Sequence, residues 1–164
     1  MYIELLRESD CSKEVIEHSQ AVADKALEIS KKFNPNISLV KTGALLHDIG
    51  RGKTHGIKHA VVGARILRNL GFSQKLINIV ERHIGAGIPL KEAKLLGLPP
   101  KNYMPITLEE KIVAHADNLI NGTREVDIEF VVCKWKSQLG NDHPGIHRLI
   151  KLHQELIEEN ISII

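Results

Sequence analysis

The stretch Val40-Lys-Thr-Gly-Ala-Leu-Leu-His-Asp-Ile-Gly50 decides how this chain is read. It is an apolar run up to Leu46, and it then sets an imidazole and a carboxylate side by side at His47 and Asp48. Burying either group against leucines is unfavourable unless each finds a partner, so Leu or Ala is the plain expectation at these positions. One histidine and one carboxylate at the end of a buried helix can hold a divalent metal, which directs attention to the other polar residues on apolar stripes.

Helical spacing dominates on both sides of this stretch, and strand alternation is nearly absent. Ser12 is a candidate N-cap for a helix over about 12–33, with Val15, Val22, Ala26, Ile29 and Phe33 on one stripe, His18 within it and Asn34-Pro35 at its end. A second helix follows Asn36 through Ile37, Val40 and Ala44 to the His-Asp pair, and Gly50-Arg-Gly52 stops it. A third runs from His59 through Val62, Ile66 and Leu70 to Gly71. A fourth begins after Ser73 and carries Leu76, Ile79, Val80 and His83 before Gly85-Ala-Gly87 breaks it. Residues 97–106 contain three prolines and read as a loop. Thr107-Leu-Glu-Glu110 is a capping box that opens a helix apolar nearly all round, so this helix is central and Asp117 within it needs a partner. Two further helices, about 127–139 and 144–160, complete an all-α, single-domain bundle of seven or eight helices spanning 1–164.

Composition narrows the function classes. At 164 residues, 43% hydrophobic and 26% charged, the chain suffices for one domain with a real core. The net charge is +2 and the basic residues are spread along the chain, so no footprint announces nucleic acid or a membrane surface; anionic small molecules remain eligible. The start, Met1-Tyr-Ile-Glu-Leu-Leu-Arg-Glu8, carries acids unlike a signal peptide, and no apolar run approaches the roughly 20 residues that span a bilayer, so the chain reads as cytoplasmic. Cys11 and Cys133 stand in unrelated contexts, which argues against a disulfide scaffold and against thiolate metal ligation.

Among the nine histidines, His18, His47, His59 and His83 sit with Asp48 and Asp117 on or beside apolar stripes, each on a different helix apart from the adjacent pair. Helices packed round one core point such residues inward, where imidazoles and carboxylates meet at a metal. A single buried histidine is usually a satisfied core residue. Six such positions, two of them acids, point instead to a shared site.

These residues resemble the signature of the HD superfamily of metal-dependent phosphohydrolases, in the order His18, His47-Asp48, Asp117, and His47-Asp-Ile-Gly50 matches its HDIG variant letter for letter. His18-Ser-Gln-Ala-Val-Ala23 resembles the family's first-histidine helix and Val113-Ala-His-Ala-Asp117 its last motif, while His59 and Arg82-His83 resemble the extra histidines of subfamilies holding two metals. The likeness covers about residues 12–122. It implies a metal held by His18, His47, Asp48 and Asp117, a second completed by His59 and His83 with Asp48 bridging, and hydrolysis of a phosphoester or phosphoanhydride bond in a nucleotide, dinucleotide or cyclic phosphate. Nitrogen and oxygen ligands without thiolate suit Mn or Fe, with Co, Ni and Zn as further candidates. Two cations sharing a water lower its pKa toward neutrality and neutralise the phosphoryl oxygens. The same six ligands also occur in di-iron oxygenases of this superfamily, and a non-catalytic metal or nucleotide sensor is the third reading.

Around the motif, Arg51, Lys53 and His55 are the nearest candidates to stabilise or protonate the leaving oxygen, with Asp48 at the reaction centre. Many HDIG proteins continue directly with lysine, whereas Arg51-Gly-Lys53 stands here. Arg51, Arg65, Arg82 and Lys111 are candidates for substrate phosphate. His115 points about 200° away from Asp117 round an ideal helix, which suits supporting or core duty. His143 and His147 have ligand spacing but no acid motif, and His153 falls on the inner face of the last helix. The loop 97–106, with Tyr103, is positioned to cover the site.

Overall fold

The computed structural model describes residues 1–158. A short helix, α1 (Tyr2–Glu8), precedes α2 (Lys13–Ser30), which opens where the Ser12 side chain accepts from the Val15 amide. Asn36 caps α3 (Ile37–Leu46) in the same way, and a 3-10 turn at Ile49–Gly52 follows His47 and Asp48. Next come α4 (His59–Asn69), α5 (Gln74–Glu81) capped by Ser73, and α6 (Leu90–Leu95). The Thr107 cap starts α7 (Leu108–Asn118), and a hairpin of β1 (Ile120–Asn121) and β2 (Arg124–Glu125) leads to α8 (Ile128–Leu139) and α9 (Pro144–Leu156). Among the described residues the protein is thus all-α apart from one small hairpin, as its periodicity predicts.

The apolar stripes read in the sequence meet in one main core. Val22, Ala26 and Ile29 of α2 pack with Val40 and Ala44 of α3, Ile112, Val113 and Ala116 of α7, and Leu149 of α9. All of these but Ile29, which is 2% exposed, are fully buried, and each such Val, Leu or Ile contributes about 1.5–3 kcal/mol. A second cluster joins Leu6 of α1 to Leu46, Ile49, Leu67 and Val80. The His-Asp pair lies between these clusters, so core packing fixes it from both sides.

Gly50 sets the crossing of two segments. A Cβ there would fall 1.9 Å from the His59 carbonyl oxygen and 2.7 Å from the Gly63 amide, so only glycine lets the turn after Asp48 press against the start of α4.

Three elements depart from the sequence expectation. The helices α1 and α6, seven and six residues long, are too short to show a period, and they bring the described helices to nine rather than seven or eight. The hairpin at 120–125 replaces the expected C-terminal end of α7, because Gly122 adopts a φ of +66° and turns the chain. The expected end of the last helix at 160 lies outside the described residues.

Candidate metal centre

Six polar side chains from six places in the chain converge between α2, α3, α4, α5 and α7. His18 projects from the second turn of α2, His47 ends α3, Asp48 begins the 3-10 turn, His59 begins α4, His83 follows α5, and Asp117 lies near the end of α7. His47 and His83 are fully buried, and Asp48 and His59 nearly so.

All four imidazoles are oriented by backbone. His47 Nδ1 lies 2.7 Å from the Ala44 carbonyl, His59 Nδ1 2.9 Å from that of Gly56, and His83 Nδ1 2.6 Å from that of Val80. Each partner is three residues earlier, and for His47 and His83 the acceptor is a carbonyl that the ending helix leaves free. His18, inside a helix, instead uses the Gly122 carbonyl at the hairpin tip, 2.6 Å away. A carbonyl only accepts, so every Nδ1 carries a proton and every Nε2 is turned inward, where it offers a lone pair whenever the ring is neutral.

The carboxylates stand among those lone pairs. His18 Nε2 is 2.9 Å and His47 Nε2 3.4 Å from Asp117 Oδ1. Asp48 Oδ1 is 3.0 Å from His59 Nε2 and 3.5 Å from His83 Nε2, while its Oδ2 is 3.5 Å from His47 Nε2 and 2.8 Å from Arg51 Nε. The donor atoms of His18, His47 and Asp117 lie within 4.8 Å of one another, as do those of His47, Asp48 and His83.

Electrostatics mark the cluster as one that wants positive charge. Burial alone would push the His47 imidazole down, yet the Asp48 and Asp117 carboxylates raise it to about 9. Burial likewise opposes ionisation of Asp48 and Asp117, but the neighbouring His47 cation, aided by imidazole contacts, holds both well below the usual carboxylate range. His83, surrounded by His47 and His59, is lowered, first by burial. His47 Nε2 and Asp48 Oδ1 are buried without a good hydrogen-bond partner among the described residues, and His59 Nε2 faces His83 Nε2 at 3.0 Å. Two lone pairs that close repel unless a cation or a proton lies between them. The donor set and its orphaned atoms therefore fit a divalent transition metal.

A cavity of about 670 Å³ opens beside the centre, within the usual range for small-molecule sites. His18, His59, His83, Asp117 and Arg51 line it, together with residues of α8. Of the residues expected to assist the reaction, Arg51 and the exposed His55 line the cavity, and an Arg51 guanidinium nitrogen donates to the His55 carbonyl at 3.3 Å.

Other expectations are placed elsewhere. Lys53 pairs with Asp10 on the surface, outside the cavity lining, because the 3-10 turn carries it toward the loop after α1. Arg82 turns away and binds both oxygens of buried Glu110, at 3.1 and 3.0 Å, so its charge is already matched. Arg65 is exposed on α4, away from the cavity, and Lys111 pairs with Glu155. Loop 97–106 does not cover the site: Tyr103 bridges to Ile88 and is buried beside Ala93 and Leu98. His115 supports the core, its Nε2 2.9 Å from His153 Nδ1, and His143 caps α9 while His147 is exposed.

Two contributors escaped the sequence reading. Gly122 orients His18, and Asn118 donates to the Gly85 carbonyl at 3.1 Å, tying the loop after His83 to the helix that carries Asp117. A glycine beside a central helix was the only available signal for the first.

Residues 15–122 match the family model described as HD domain. The chain is 57% identical to an uncharacterised protein of Methanocaldococcus jannaschii, over 89% of each chain. It is 48% identical to the tRNA (cytidine(56)-2'-O)-methyltransferase of Thermoplasma volcanium, over 94% of this chain but only 45% of that protein. It is also 37% identical to ribonuclease Y of Thermosipho melanesiensis, over 70% of this chain and 20% of the other. The HD domain of the L. monocytogenes phosphodiesterase PgpH, solved in complex with cyclic-di-AMP, superposes with a TM-score of 0.60 at 17% identity, covering 98% of this chain and 99% of that one.

Proposed function

The chain belongs to the HD domain family, and from that premise we propose that it is a metal-dependent phosphohydrolase opening a phosphoester or phosphoanhydride bond of a nucleotide-type substrate. The observation that carries this reading is the set of four imidazoles, each with Nδ1 spent on a backbone carbonyl and Nε2 turned toward Asp48 or Asp117. His18, His47, Asp48 and Asp117 would hold one metal, and His59 and His83 would complete a second with Asp48 shared between them. Bound there, such metals supply a nucleophilic hydroxide near neutral pH and neutralise the phosphoryl oxygens.

The chain's own groups do the rest. Asp48 faces the imidazole pair through Oδ1 and Arg51 through Oδ2, so Arg51 fixes the orientation of the carboxylate. The Arg51 guanidinium at the cavity edge offers charge to a phosphoryl oxygen, and the His55 imidazole beside it is placed to protonate a leaving oxygen. Two relatives bear nuclease or phosphodiesterase names, which supports phosphodiester chemistry. The match covers 45% of the methyltransferase and 20% of ribonuclease Y, so coverage does not separate the two, and it is the cluster of metal-ligating side chains that favours hydrolysis over methyl transfer.

Metal analysis of the purified protein, followed by a phosphate-release and phosphodiester screen with Mn, Fe, Co, Ni or Zn, tests the reading. Metal-dependent turnover is expected, and D48A and D48N should lose both metal and turnover while D48N keeps a folded melting transition. Unchanged metal content in D48N, or iron-dependent oxygen consumption in place of hydrolysis, would overturn it.

A further inference from the structure

The helix α8, which begins beyond residue 122, where the HD domain match ends, lines the same cavity as His18, His59 and His83. Its contributions, Phe130, Val131, Lys134, Trp135 and Gln138, recur every three or four residues and so occupy one helix face. Val131 is buried, but Phe130 is 43% exposed and Trp135 is only partly covered.

Trp135 is tied to the reaction centre. Its six-membered ring rests on Gly85, where a Cβ would come within 3.0 Å of the ring carbon Cη2. Gly85 follows His83 by two residues, has a φ of +57°, and receives the Asn118 hydrogen bond from beside Asp117. The indole is therefore registered against two of the proposed ligands. Beside Trp135 on α8, Lys134 also lines the cavity, and so does Arg51. An aromatic ring and two cations lining one cavity, beside a centre suited to phosphate, have the chemistry that recognises a nucleobase joined to a phosphoester.

We propose that Trp135, with Phe130 at its edge, is the stacking surface for the nucleobase of the substrate and selects nucleotide phosphoesters over base-free ones. This deepens the phosphohydrolase reading and rests on it for the phosphate end. A free nucleotide and the end of an RNA strand present the same ring and phosphate, and titration with each distinguishes the two sources.

Trp135 is the single tryptophan of the chain, so its fluorescence reports the contact directly. The full chain is titrated with adenosine monophosphate, a short oligoribonucleotide, ribose phosphate and inorganic phosphate. Saturable quenching by one or both base-containing ligands and none by the base-free ones is the expected result, the tighter of the two identifying the source. By calorimetry, W135L should weaken nucleotide binding roughly 5- to 150-fold, and W135F should restore most of it. Absence of quenching, equal quenching by ribose phosphate, or unchanged binding in folded W135L overturns the proposal. Quenching without turnover of any phosphoester leaves the stacking surface and removes the hydrolase reading; turnover without quenching does the reverse.

Discussion

His59 and His83 hold their Nε2 atoms 3.0 Å apart while both Nδ1 atoms are committed to carbonyls of their own segments. Neither ring can turn away without breaking that bond, so the close lone pairs are built in by the ends of α4 and α5. On the two-metal reading proposed above, this pair is half of the second site. H59A and H83A are expected to lower bound metal from two ions to one per chain, measured by elemental analysis, with turnover falling at least tenfold. H18A should instead weaken the half nearest Asp117.

Gly50 predicts a different kind of failure. Because a Cβ would overlap the His59 carbonyl, G50A should destabilise the fold by on the order of 3 kcal/mol or more, and metal retention should fall with it. Chemical denaturation beside G56A checks this, since a Cβ at Gly56 meets nothing within 4 Å.

Arg82 is expected to matter for stability rather than chemistry. Truncating it leaves the buried Glu110 carboxylate unmatched, so R82L should cost about 3–5 kcal/mol by denaturant unfolding. Where the variant remains folded, KM should stay within a few-fold of the parent. K53A removes only a surface pair with Asp10 and should change stability by about 0–1 kcal/mol, with turnover unaltered.

His115 gives the fold an acid dependence. Burial, with His153 beside it, lowers its imidazole from 6.5 to about 3, so the unfolded chain binds a proton that the folded chain refuses. Stability is therefore full above about pH 6.5 and declines as the pH falls toward 3, by about 2 kcal/mol at pH 5 for this group alone. Melting curves across that window, compared with H115Q, should show the slope shrink in the variant. Asp48 and Asp117, with depressed folded values, add their own loss only near and below their ordinary range, around pH 4.

Local chemistry made much of the architecture legible. Ser12, Asn36, Ser73 and Thr107 cap the helices whose starts they marked, and the stripe of α2 through Val22, Ala26 and Ile29 packs as its spacing predicts. The six polar residues on apolar stripes do converge, because a bundle must turn those stripes toward one core. Short elements escaped: α1, α6 and the hairpin hold too few residues for a period to show.

The sequence by itself determined the helices, the core faces and the six side chains of the centre, since period, capping and the penalty for burying polar groups are properties of neighbouring residues. Only the tertiary structure decided which cations serve the cavity. Arg51 and Arg82 look alike along the chain, yet one meets Asp48 and the other Glu110, 28 residues away. It also decided that α8, not loop 97–106, walls the cavity, and that Gly122 orients His18 across 104 positions. Pairings over such separations depend on how helices pack against one another, and no local pattern records that.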